Sequence, residues 1–136
     1  MIYGPFSLAD ATDAVVDFYL WLNSELFDDY LRYGASLDGS TFYVWGLHGY
    51  SGGWMPWSFD LTDVGPLGNL CGQSQVWIAF IFQSGSTTTY PEGARLDDIV
   101  LRKCTSSSCP TAISEVEPIP EGTQIVEMPA TLILKP

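Results

Sequence analysis

The chain has 136 residues, of which 46% are apolar and 14% aromatic, with five Lys/Arg against sixteen Asp/Glu and a formal net charge of −11. One domain with a sizeable core fits this length, and the apolar content excludes a disordered chain. The charge excludes a basic nucleic-acid surface and argues against docking to anionic lipid. An acidic, Lys-poor, Ser/Thr/Gly-rich surface suits a secreted, extracellular protein. Met1 to Pro5 has neither a basic nor an apolar signal region, so Met1 reads as an internal residue of a longer precursor or a processed start. No run approaches the ~20 apolar residues of a membrane helix.

In chain order, residues 2–6 predict a short strand. Thr12 to Leu22 alternates, with Ala14, Val16, Phe18, Leu20 and Leu22 on one face and Val15, Asp17, Tyr19 and Trp21 on the other. A helix over 12–33 is the alternative, but the β-branched and aromatic content of 15–21 favours a strand. Asp28 to Leu37 and Thr41 to Leu47 predict two strands joined by an Asp38-Gly39 hairpin turn. Trp54 to Leu61 is a strand that Pro56 confines to an edge or a bulge. Val76 to Phe82 is apolar on both faces and therefore central. Tyr90 to Arg102 is a turn followed by a strand. The sum is an all-β antiparallel sandwich of roughly eight short strands.

Asp97 and Asp98 sit inside that last strand. With regular alternation one of them shares a face with Val100, and a core-facing carboxylate needs a partner, a hydrogen bond or a metal. Adjacent acids suit a hard cation with oxygen ligands such as calcium; the bland reading is one exposed acid and one that caps backbone or pairs with Arg95 or Arg102. Cys104 and Cys109 are spaced for a local disulfide in an oxidising compartment. Cys71 is a buried small residue, a partner for one of those two, or an intermolecular link. The single histidine, His48, reads as a solvated loop residue, and no nucleophile, metal or phosphate-loop motif of an enzyme occurs.

The succession GPFSL, LWLNSE, DDYLRYGASLDG, GGWMPWSFDL, QVWIAFIFQS and EGARLDDIVL, over residues 2–103, resembles the jelly-roll accessory domains of secreted bacterial proteins. These are the MAM-like modules beside immune-inhibitor-A-type metallopeptidases, and some carbohydrate-binding modules. The resemblance implies a two-sheet jelly roll with a structural calcium near the final strand, held by Asp97 or Asp98 with Glu25, Asp28 or Glu92. The chain departs from the pattern in lacking a segment ahead of GPFSL and in carrying a C-terminal extension.

The jelly roll is assigned to residues 1–109. Residues 110–122 are a Pro/Glu-rich linker, and 123–136 a C-terminal strand with Val126, Met128, Ala130, Leu132 and Leu134 on one face. That strand folds back into its own sheet, leads to a further domain, or is donated to a neighbouring subunit by β-strand addition. Head-to-tail donation gives a filament of self-associated chains. Trp21, Trp45, Trp54 and Trp57 are candidates for stacking on sugars, or else sheet packing. Ser84, Ser86, Thr87, Thr88, Thr89, Ser106 and Ser107 are candidate O-glycan sites of a glycoprotein. The function expected is a non-enzymatic structural or adhesive subunit of a cell-surface filament. The alternative is a carbohydrate- or protein-binding accessory module of a larger secreted hydrolase.

Overall fold

The computed structural model describes residues 1–86 and 92–105 in full and residues 124–134 as backbone. Eight strands run in the order β1 (Ile2–Phe6), β2 (Asp13–Asn23), β3 (Tyr30–Ser36), β4 (Thr41–Tyr50), β5 (Met55–Asp60), β6 (Val76–Gln83), β7 (Gly93–Cys104) and β8 (Gln124–Leu134). The all-β, antiparallel expectation holds. The strands are hydrogen-bonded as one curled sheet, a half-barrel, with neighbours in the order β1-β6-β3-β4-β2-β5. β7 adds to β2 and β8 adds to β4. A single rung, Asn23 opposite Tyr50, joins β2 to β4.

The alternation of β2 follows the sequence pattern. Ala14, Val16, Phe18, Leu20 and Leu22 are buried in the concave core, while the residues between them face outward. Phe18 is the hub, with its ring edge-on to Phe80 at 5.0 Å and tilted against Tyr33 at 5.9 Å. Edge-to-face rings at these separations add attraction beyond burial alone. β6 lies between β1 and β3, as its two-sided apolar run predicts. β5 pairs only with β2 among the described residues, so Pro56, which donates no N–H, sits on an edge strand.

β4 packs on both of its faces. Leu47 and the half-buried Trp45 join the concave core. Phe42 and Val44 lie on the opposite face in a second apolar cluster with Ala79, Trp77 and Ile81. The expected strand end at Leu47 is too early, since β4 continues through His48 and Gly49 to Tyr50. Gly34 on β3 makes this packing possible: a Cβ there would fall 1.9 Å from the Tyr43 carbonyl oxygen.

The Asp38-Gly39 turn forms as its sequence predicts, with Gly39 at φ 70°. The Asp38 carboxylate accepts hydrogen bonds from the Ser40 and Thr41 backbone N–H groups at 2.8 and 2.7 Å and from the Ser36 hydroxyl at 2.9 Å. These bonds to the ionised form, the Thr41 N–H first among them, hold the carboxyl well below the usual carboxylate range. A carboxyl depressed in the folded state stabilises the fold above its unfolded pKa, and that contribution is lost as pH falls. Asp38→Ala is therefore expected to lower the melting temperature at pH 7. It should also flatten the loss of stability between about pH 4 and about pH 2, as followed by circular dichroism melts across pH.

Candidate functional site

The two acids of β7 are both exposed, which departs from the regular alternation expected. The β2–β7 ladder explains how. Asp17 pairs with Val100 and Tyr19 with Asp97, so two steps on β2 face three on β7. The extra residue is a β-bulge. Asp98 occupies it in the left-handed region at φ 49°, which Asp tolerates better than most non-glycine residues. The Asp97 carboxylate accepts the Asp98 backbone N–H at 2.9 Å. Leu96, Ile99 and Leu101 all pack against the core. Without the bulge, Leu96 and Ile99 would lie on opposite faces.

On the outer face the bulge opens onto a cleft of about 210 Å³ lined by Tyr19, Trp54, Asp97 and Asp98. The pairing of Leu20 with Met55 sets Trp54, just ahead of β5, beside the Tyr19–Trp21 stretch of β2. Trp54 is 46% exposed. Trp21 lies next along the same face, its ring covered by the Arg95 guanidinium at 4.6 Å. The other two sugar candidates are packing residues. Trp45 lies against Tyr33 and Phe59, and Trp57 packs on the concave core. Alternation alone does not tell a buried Trp from an exposed one; the distinction depends on which face looks into the curl.

The five expected calcium ligands are not gathered. Glu92 accepts from the Asn23 side-chain amide at 2.9 Å. The rungs Asn23–Gly93 and Tyr19–Asp97 are four β2 residues apart, about 13 Å along a strand. Glu25 and Asp28 belong to the β2–β3 loop. There the Asp29 carboxylate accepts from the Gly85 N–H at 2.8 Å and the Glu25 N–H at 3.4 Å. Among the described residues no three His, Cys, Asp or Glu side chains come together to hold a metal ion.

His48 is the residue that the sequence reading misplaces most. It is part of β4 and fully buried, not a solvated loop residue. The Phe27 and Tyr30 rings lie against it at 4.7 and 5.3 Å. Its Nδ1 accepts the Phe27 N–H at 3.4 Å, and its Nε2 is buried without a hydrogen-bond partner. Burial holds the imidazole below its usual pKa.

Cys104 ends β7 and is buried, while Cys109 lies outside the described residues, as do Thr87, Thr88, Thr89, Ser106 and Ser107. Ser84 and Ser86 are exposed. Cys71 is a free, half-buried thiol whose pKa burial pushes up, with Asp13 and Asp60 adding to the shift. A second, larger cleft of about 360 Å³ lies between β1 and β7, lined by Tyr3, Phe6, Val16, Ile78, Ile99 and Leu101. Its walls are mainly apolar, and it is the open seam of the core.

The C-terminal strand pairs with β4 in the same chain, from Thr41–Leu134 to Tyr50–Gln124. Its register is irregular: Val44 pairs with Thr131 and Gly46 with Met128, leaving Pro129 and Ala130 within a bulge. Pro129 has no N–H to give, so a bulge is where it fits. The shift divides the five expected interface positions. Val126 and Met128 stand opposite His48 and Gly46, whereas Leu132 and Leu134 stand opposite Tyr43 and Thr41, residues of the other face of β4.

Two outcomes follow. Asp98→Gly is expected to be nearly neutral, while Asp98→Val should destabilise by about 1–2 kcal/mol in urea unfolding, because a β-branched residue resists positive φ. For His48, the unfolded imidazole takes up a proton before the folded one, so stability falls as pH drops through about 6.5. His48→Gln should remove that loss between about pH 7 and about pH 5, read from melting temperatures.

Set against known protein families, curated proteins and solved structures, the chain matches none of them.

Proposed function

We propose that this protein is a non-enzymatic, extracellular structural or adhesive subunit whose copies join into a filament by exchanging β8. The observation that carries the reading is β4. A strand buried on both faces behaves as a central strand and needs a hydrogen-bonding neighbour on each edge. β3 supplies one edge and β8, the last of the described strands, the other. Residues 105–123 separate it from β7. Such a segment spans up to about 65 Å when extended, well beyond the ~35 Å breadth of a domain of this size. The β8 of one copy can therefore reach β4 of the next with every rung kept. Exchange that passes head to tail leaves one acceptor and one donor free at the ends, so it propagates.

In this reading the half-barrel is a jelly-roll sandwich of the kind its MAM-like resemblance implies. β1-β6-β3-β4-β8 forms one leaf and β5-β2-β7 the other, with the Asn23–Tyr50 rung at the corner. The Lys-poor acidic surface and the expected Cys104–Cys109 disulfide support an extracellular setting.

The test compares the full chain with a truncation after Pro110 by negative-stain electron microscopy and light scattering. Filaments are expected from the full chain and none from the truncation. A second measurement mixes Tyr50→Cys chains with Gln124→Cys chains, both carrying Cys71→Ser. A Tyr50–Gln124 cross-link between different chains is expected under assembly conditions. Compact monomers from both lengths, with no cross-link on mixing, overturn the proposal.

A further inference from the structure

The outer face of β5-β2-β7 plays no part in β8 exchange. It nonetheless presents an exposed Trp at the wall of a cleft, a residue in a strained backbone conformation, and two carboxylates that take part in no ion pair among the described residues. We propose that Tyr19, Trp54, Asp97 and Asp98 form a binding subsite for a sugar residue of an uncharged polysaccharide.

The chemistry comes from the two halves of the cleft. Aromatic rings offer a flat apolar surface to the C–H face of a pyranose, and stacking there is attractive without being directional. Carboxylates supply acceptor lone pairs, several per group, for the ring hydroxyls. Asp97 spends one oxygen on the Asp98 N–H and keeps further acceptor capacity. An Asp held at φ 49° is the kind of backbone outlier that gathers at binding sites, where it re-aims a side chain. The bulge does this here by turning both acids to the same side as Tyr19 and Trp54.

The charge selects the ligand class. Two carboxylates in the cleft, on a chain of net charge −11, repel uronic-acid and sulfated polymers. Donor-rich neutral chains carry no such penalty. Trp21 with Arg95 stacked on it is the next position along the same face, about 7 Å from Tyr19, so the surface continues in the direction a polymer would run. The cleft and the β4 edge lie on opposite sides of the Asn23–Tyr50 junction, so each proposal can fail without the other.

Affinity electrophoresis of the full chain through gels holding xylan, mixed-linkage β-glucan or galactomannan tests the site, with polygalacturonate and chondroitin sulfate as anionic controls. Retardation by at least one neutral polymer and by neither anionic one is expected. Trp54→Ala and the Asp97→Asn/Asp98→Asn pair should each weaken it about tenfold or more, with circular dichroism and melting temperature unchanged; Trp54→Phe should retain most of it. Four outcomes overturn the proposal: no retardation in any neutral gel, retardation unaffected by Trp54→Ala, stronger retardation by the anionic polymers, or a calcium-induced rise in melting temperature that needs Asp97 and Asp98 and comes without retardation.

Discussion

The constraint on which the rest depends is the burial of β4 on both faces. A backbone in that position has no water to fall back on, so its N–H and C=O groups must be paired along both edges. β3 meets one edge. The other is met by β8, so the sheet is not closed until residues 124–134 are in place. The same burial explains the β2–β3 loop. His48 stands on β4 at full burial, with the Phe27 and Tyr30 rings laid against it. The neutral form is the one that such a site tolerates. The hairpin turn at Asp38, the glycine at position 34 and the apolar cluster around Phe42 all serve the placement of this one strand.

Electrostatics plays a different part. Three of the five cations, Arg95, Arg102 and Lys103, lie on β7. Arg95 stacks on Trp21 of β2, Arg102 pairs with Asp17 of β2, and Lys103 reaches Asp10. Exposed ion pairs contribute little stability each. Spaced along one strand, however, the Arg95–Trp21 and Arg102–Asp17 contacts favour the observed β2–β7 register, because a slip would break both. The surplus negative charge elsewhere makes separately folded copies repel one another.

Much of this was legible in the sequence. The alternation of β2, the Asp-Gly turn, the edge position enforced by Pro56 and the central place of β6 all follow from local pattern, because side-chain period and turn chemistry are local properties. The misreadings share a physical cause. A period-two count cannot see an extra residue, so Asp97 and Asp98 looked as if one must point inward, and the C-terminal strand looked as if it presented one continuous face. His48 and Gly49 read as loop because their burial comes from distant segments. The difference between Trp45, which packs inside, and Trp54, which does not, depends on the curl of the whole sheet. The site was half visible: its carboxylates and one of its rings were singled out separately, and only the β2 ladders to β5 and β7 set them side by side.

The bulge at Asp98 has a consequence for how this chain can change over time. Loss of one residue within a strand normally inverts everything downstream of it and is purged. Here the residue in the bulge is the surplus one. Deleting Asp98 would leave Leu96, Ile99 and Leu101 in phase with the core and merely straighten the ladder, erasing the cleft while sparing the fold. Relatives that differ by a single-codon gap at this point would thus share an architecture and differ in the surface it displays.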